Sequence, residues 1–185
     1  KGDPLSGQAD ALCKTRRLVQ NMKDNNTMAM LVQGTKKAGQ TNAMTEILGS
    51  EGYYQIHSGC DGTRNGVGII LSPEGYLAYQ AANCRSYTYG DNKSTVDVGK
   101  ISNQGRWIAV DLTVKDSKNK SQTIMLVSTY APTSAHYEAS ARWARGFSAI
   151  RKQLNSAGSK KLLIIGGDFN AAMGIGKSRE NAVLG

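Results

Sequence analysis

Two strand-like stretches separated by a short polar loop constrain this chain more than any other feature. In "RWIAVDLTV", Trp107, Ala109, Asp111 and Thr113 fall on one face, and Ile108, Val110, Leu112 and Val114 on the other. A period of two is the signature of a pleated strand whose two faces meet different surroundings. "QTIMLVSTYAP" is a second strand signal, and "KDSKNKSQ" (Lys115 to Gln122) between the two reads as an exposed hairpin loop.

The rest of the chain alternates between helix and strand signals. Ala11, Thr15, Leu18 and Met22 form a helical stripe, with Lys14, Arg16 and Arg17 around it. "TMAMLVQ" reads as a buried strand, and "QTNAMTEILG" as a helix with Met44, Ile47 and Leu48 inward and Gly49 as its C-cap. "GYYQIH", "NGVGIILS" and "YLAYQA" read as strands, and "GDNKST" as a loop. The clearest helix runs from Ser134 to Asn155, with Tyr137, Ala144, Phe147, Ile150 and Leu154 as its core stripe. "KKLLIIGGDFN" reads as a final buried strand, apolar on both faces. Runs of strands with a few helices between them predict a sheet-rich α+β fold or layered sandwich.

At 185 residues there is room for one sizeable core and not for two. No apolar run approaches the length that spans a bilayer. The net charge of +9 favours polyanionic partners, or a place against RNA or acidic neighbours. Cys13, Cys60 and Cys84 have neither zinc-ligand spacing nor the even count of a disulfide framework, which suggests a reducing compartment.

The last strand ends in Gly166, Gly167, Asp168, Phe169 and Asn170. An acid after two glycines at a strand end commonly caps a turn. The alternative is a catalytic group. Residues at i and i+2 share a strand face, so Asp168 and Asn170 would point together while Phe169 packs into the core.

"MLVQGTK", "GTRNGVGIILSPEG", "STYAPT" and "LLIIGGDFNAAMG" occur in the order, and at roughly the intervals, of the endonuclease/exonuclease/phosphatase family. "RNGVGIILS" and "GGDFNAAMG" resemble in particular the apurinic-type endonuclease domains of non-LTR (LINE-like) retrotransposons. The resemblance runs from about residue 16 to the end. It implies a DNase I-like, four-layer αββα sandwich over 1–185, a single partial domain incomplete at its N-terminal strand and C-terminal strands. It also implies descent from an enzyme that cleaves phosphodiesters with Mg²⁺. On this resemblance Asp168 would align and deprotonate a water, Asn170 would bind phosphate or metal, and Tyr130 would hydrogen-bond the scissile phosphate. Thr133 stands where many relatives carry an asparagine at the nucleic acid.

The departures from the family pattern bear on activity. Relatives carry a metal-binding Glu where this chain has Gly34, and glycine offers no ligand atom to an ion that needs oxygen donors. An initial Trp-Asn strand and a terminal Ser-Asp-His element are also missing. His57 and His136 are not in an Asp-His pair, and they read as polar surface or half-buried rings. The expectation is therefore a remnant site of Asp168, Asn170 and Tyr130 that is inactive and needs no cofactor. The domain would serve as a basic structural or RNA-contacting subunit of a larger, organellar-type assembly. The alternative is a Mg²⁺-dependent DNA endonuclease of a LINE-like element, seen as a fragment.

Two interaction surfaces follow. Arg142, Arg145, Arg151 and Lys152 on the long helix, with Lys115, Lys118 and Lys120 on the hairpin loop, are the candidate contacts to RNA or DNA phosphates, or else a solvated charged face. Protein subunits are expected to cover the incomplete sheet edge beside Leu162 to Ile165.

Overall fold

The expected hairpin forms and is the spine of the molecule. In the computed structural model, which describes residues 4–35, 43–58, 66–89, 95–97, 106–132, 143–144, 148 and 161–170, Trp107–Lys115 (β6) and Ser121–Tyr130 (β7) pair antiparallel from Trp107↔Thr129 to Lys115↔Ser121. The loop turns on Asp116, whose Oδ1 accepts the N–H groups of Lys118 and Lys120 at 2.8 Å each. Ser86–Tyr89 (β4) and Thr95–Asp97 (β5) extend the sheet on one side, and Leu162–Asp168 (β8) on the other, in the order β5-β4-β6-β7-β8. A second sheet holds Ala29–Gln33 (β1), Tyr54–Ser58 (β2) and Val67–Leu71 (β3) in the antiparallel order β1-β3-β2.

The two sheets pack face to face, and the alternation read from β6 decides which side chains meet. Ile108, Val110 and Leu112 point inward, onto Ile56, Val67, Ile69 and Leu71 of the smaller sheet. Trp107 and Ala109 point outward and pack with Met125, Val127, Leu163 and Ile165. The outer face of the small sheet is covered by helices Pro4–Asp24 (α1) and Ala43–Ser50 (α2): Val19, Met22 and Leu48 bury against Ile70, Met30 and Val32. On the opposite outer face the Trp143 indole N–H donates to Thr129 Oγ1 at 2.8 Å, and Trp143, Ala144 and Ser148 are helical. Helix, sheet, sheet and helix thus make the expected αββα layering.

β7 and β8 are parallel, so the chain crosses over between them, and the helical Trp143 lies on that crossover. Most of the helix expected at Ser134 to Asn155 lies outside the described residues, as does all but the start of β5 in "GDNKST".

Four expectations need correction. "YLAYQA" is not a strand but the body of helix Pro73–Ala81 (α3). The Ser72 hydroxyl accepts the Gly75 N–H at 3.2 Å, and Pro73 occupies the first helical turn, where its missing N–H costs nothing. β1 is an edge strand, half-buried along its whole length rather than fully buried. Gly49 lies inside α2, and the left-handed residue after that helix is Gly52, at φ +78°. β8 is likewise an edge strand: Leu162 is 48% and Ile164 44% exposed, although both lie on the inward-facing side. The first two corrections share a cause, since a short apolar run carries too little periodicity to separate helix from strand, or centre from edge.

Candidate functional site

β7 and β8 end side by side, and their ends carry the residues singled out from the sequence. Tyr130 and Asp168 are register partners, and the Ala131 N–H donates to the Asp168 carbonyl at 2.8 Å. Both side chains belong to the inward face, in the alternation that carries Leu126 and Ser128 inward on β7, and Ile164 and Gly166 on β8. The packing at this end is close. A Cβ on Gly166 would meet Leu31 Cδ1 at 2.6 Å, and one on Gly167 would stand 1.9 Å from the Thr129 carbonyl oxygen. The glycine pair before Asp168 therefore lets β8 lie tightly between β7 and the small sheet.

Past the strand end the backbone turns. Asp168 Oδ1 accepts the Asn170 N–H at 2.9 Å, Asn170 adopts φ +46°, and its side-chain amide donates to the Ala131 carbonyl. The turn-capping role read as one alternative for Asp168 is present, and Asn170 ties the two strand ends together. Asp168 nevertheless keeps its side chain exposed. Phe169 points to the other face. It is 36% exposed rather than core, and meets Trp143 edge to face at 6.3 Å between centroids.

The small sheet delivers its own strand end here. Gln33, the last residue of β1, donates from Nε2 to Ser128 Oγ at 3.1 Å, and Ser128 Oγ donates to the Val32 carbonyl at 3.2 Å. Gly34 follows at φ +70°, its N–H bonded to the Gly66 carbonyl at 2.8 Å, with no atom of the described residues within 4 Å of where a Cβ would stand. The Thr35 hydroxyl oxygen next to it is buried and has no hydrogen-bond partner among the described residues.

One residue at this end escaped the sequence reading. Arg106 immediately precedes β6, which runs antiparallel to β7, so its backbone lies beside the end of β7. The Tyr130 N–H donates to the Arg106 carbonyl at 2.7 Å, and the guanidinium carbon lies 5.4 Å from the centroid of the Tyr130 ring. Hairpin register was the available signal, because pairing Trp107 with Thr129 necessarily sets Arg106 beside Tyr130.

Among the described residues, the donors at this end do not by themselves make a divalent-metal site. Asp168 brings one carboxylate, Asn170 is engaged in the turn, and Gly34 has nothing to offer. No three His, Cys, Asp or Glu side chains come together among the described residues. A magnesium ion is held by oxygen donors with near-octahedral demands, and a lone exposed carboxylate is at the weak limit of that chemistry.

Other candidates fall elsewhere. Lys115, Lys118 and Lys120 lie at the hairpin turn, the length of β7 from Tyr130, or roughly 30 Å for a strand of this length. They cannot share a phosphate with Tyr130. Thr133, Arg142, Arg145, Arg151, Lys152 and His136 lie outside the described residues. His57 is half-buried on β2, where burial pushes its pKa down. The ionic cluster on the outer face is also separate. Lys161 Nζ lies 2.7 Å from Asp111 Oδ2, and the Tyr87 hydroxyl donates to the same oxygen at 2.9 Å. Burial, and then that hydrogen bond to a carboxylate, push the Tyr87 pKa up to about 12.

No protein-family profile and no curated protein matches the chain. Solved structures do. The catalytic domain of Xenopus laevis APE2 superposes with a TM-score of 0.51 at 16% identity, over 85% of this chain and 55% of that domain. The human Nocturnin catalytic domain, solved with a bound sulfate anion, gives a TM-score of 0.45 at 15% identity, over 85% of this chain and 56% of that one. The chain therefore spans little more than half the length of the structures it matches. With two sheets face to face, helices on both outer faces and the APE2 domain as a structural neighbour, this chain has the DNase I-like α+β sandwich fold.

Proposed function

We propose that this chain is a basic, nucleic-acid-binding descendant of a Mg²⁺-dependent phosphodiesterase that no longer catalyses, and that it works as a structural or RNA-contacting subunit of a larger assembly. Gly34 carries the reading. It follows directly on the end of β1, and it brings no side-chain oxygen where the family resemblance calls for a metal-binding Glu. Hydrolysing a phosphodiester needs an oriented water and a cation for the charge that develops, and Asp168 alone supplies neither the cation nor its coordination. The +9 charge supports a polyanionic partner.

An organellar assembly suits such a subunit, and the half-open edge gives it a place to dock. Leu162 and Ile164 face inward yet stand exposed on edge strand β8. In this reading a strand of a partner polypeptide pairs with β8 and covers them.

A second reading rests on the preserved pairing of Tyr130 with Asp168. In it the chain is part of a LINE-like retrotransposon endonuclease, with Asp168 activating water, Asn170 beside it at the phosphate and Tyr130 hydrogen-bonded to the scissile phosphate. One assay separates the two. Purified protein is incubated with supercoiled plasmid and Mg²⁺, beside an Asp168→Ala control. No nicking above the control supports the non-catalytic reading, whereas nicking that Asp168→Ala abolishes replaces it with the endonuclease.

A further inference from the structure

The end of the sandwich away from Tyr130 and Asp168 carries a group of stacked tyrosines. The bond from Ser128 Oγ to the Val32 carbonyl sets the level of β1 against β7. Ala29, at the other end of β1, pairs with Leu71, and Leu71 pairs with Tyr54. β2 therefore starts at the end where the β6–β7 hairpin turns, beyond the pair Lys115↔Ser121. We propose that Tyr54 and Tyr76, with Lys115, Lys118 and Lys120 of that hairpin, form a platform on which the bases of a single-stranded nucleic acid stack. This rests on the nucleic-acid-binding part of the reading above and gives that binding a place apart from the Tyr130–Asp168 rim.

The helical state of α3 builds the platform. Tyr76 and Tyr79 stand three residues apart and so share a helix face, whereas a strand would send them to opposite sides. Tyr79 is the anchor. It is buried, and its hydroxyl lies 2.8 Å from the Cys84 carbonyl and 3.2 Å from the Ser86 hydroxyl. Tyr54 closes on the pair from edge strand β2, its ring centroid 4.5 Å from that of Tyr76 and 6.3 Å from that of Tyr79. Tyr54 is nevertheless 42% exposed, and Leu77 beside Tyr76 is 64% exposed. The rings are thus held by packing on one side and open on the other. Rings already stacked on each other lose little rotamer freedom when a base joins the stack.

Charge selects the occupant. Val114, next to Lys115, packs into the same core cluster as Tyr76, and α3 lies against β6, so hairpin and tyrosines are neighbours. Lys115, Lys118 and Lys120 are exposed, and none is in an ion pair among the described residues, whereas Lys23 is held by Glu51 and Lys161 by Asp111. The carboxylates nearby are engaged. Asp116 Oδ1 accepts the N–H groups of Lys118 and Lys120, and Glu74 accepts the Ser72 hydroxyl. A duplex turns the faces of its bases toward each other. A single strand offers open base faces and phosphates together, which matches both halves of this surface.

The test measures binding of a short fluorescent oligo(dT) to the whole chain by anisotropy, in EDTA, beside a strand of equal charge that lacks bases. Base stacking predicts that Tyr54→Ala weakens oligo(dT) binding by about fivefold or more and leaves the baseless strand almost unaffected. Tyr54→Trp, which keeps an aromatic face, should retain the affinity. Lys118→Gln and Lys120→Gln should each flatten the salt dependence by about one ion, whereas Arg17→Gln, at an exposed position on α1, should not.

Leu77→Glu and Leu77→Lys leave the rings in place and set opposite charges beside them, so the first should lower the affinity and the second raise it. The position is 64% exposed, and this pair serves as the readout if Tyr54→Ala does not fold. A Tyr54→Ala protein that binds oligo(dT) as wild type does overturns the platform, as does an equal loss on the baseless strand. Salt-dependent binding that persists in that case leaves the nucleic-acid reading standing, whereas a wild type that binds neither strand removes both. Self-association in sedimentation velocity that Leu77→Glu abolishes, with oligo(dT) affinity unchanged, assigns the surface to a second copy of the chain and also overturns the proposal.

Discussion

The Lys161 ammonium lies 2.7 Å from Asp111 Oδ2 with both side chains nearly withdrawn from solvent, at 9% and 1% exposure. Asp111 is the one outward-facing charge among the buried residues of β6, and its other oxygen, Oδ1, has no hydrogen-bond partner among the described residues. Lys161→Met should leave a buried, half-satisfied carboxylate and cost about 3–5 kcal/mol, read by urea unfolding. Pairing it with Asp111→Leu should recover most of that loss. A Lys161→Met protein as stable as wild type would show that the pair does not hold β8 against β6.

Tyr87 shares the same carboxylate and predicts a pH dependence. Its folded pKa, pushed up to about 12, stands above its ordinary 10.0. The folded state holds that proton more tightly, so the contribution is fully present below pH 10.0 and is lost as pH rises through about 12. Burial and the neighbouring Tyr76 also raise Tyr54, which adds a slope of the same sign. The difference between wild type and Tyr87→Phe in unfolding free energy, measured across that window, isolates Tyr87. It should shrink with rising pH.

The glycine before Asp168 should tolerate no side chain. A Cβ at Gly167 would stand 1.9 Å from the Thr129 carbonyl, and backbone cannot yield as a flexible side chain can. Gly167→Ala should cost at least about 1–3 kcal/mol by overpacking and should disturb the Tyr130–Asp168 register. Gly49→Ala, inside α2 with nothing among the described residues within 4 Å, should instead be neutral or stabilising by up to about 1 kcal/mol. Thermal melts of the two variants should move apart.

Restoring the missing acid should not restore an enzyme. Gly34 sits at φ +70°, so Gly34→Glu forces an L-residue into a left-handed conformation as well as supplying a carboxylate. In the plasmid-nicking assay with Mg²⁺ the variant should stay at background, and it should melt below wild type. Cleavage by Gly34→Glu that Asp168→Ala then abolishes would show that a single substitution separates this chain from an active site.

The open edge gives a solution prediction. Leu162 and Ile164 face inward at 48% and 44% exposure, with β1 already lying over Gly166 farther along the strand. If this edge binds a polypeptide strand, isolated chain should self-associate through it. Leu162→Lys with Ile164→Lys should then reduce association in sedimentation velocity at little cost in stability. Unchanged sedimentation, with the wild type already monomeric, would count against a partner at β8.

What the sequence determined by itself was local and periodic. The alternation in β6 assigned Ile108, Val110 and Leu112 to one face and Trp107 and Ala109 to the other before any contact was known, because a strand's side-chain period is independent of its neighbours. The Gly-Asp-Phe-Asn end and the Tyr-Ala-Pro stretch marked Asp168 and Tyr130, which are register partners at the ends of β8 and β7. Tertiary structure decided everything that depends on which strand lies beside which. β8 reads as buried from its composition, but sheet order makes it an edge and leaves Leu162 and Ile164 open. "YLAYQA" carries aromatic and aliphatic residues suited to a strand, yet the Ser72 cap and packing of Ala78 and Tyr79 into the core between the sheets hold it as helix. Arg106 is an unremarked residue before a strand until antiparallel pairing sets it beside Tyr130. Side-chain period travels along the chain and can be read there, whereas adjacency between strands far apart in sequence is settled only by the packing that brings them together.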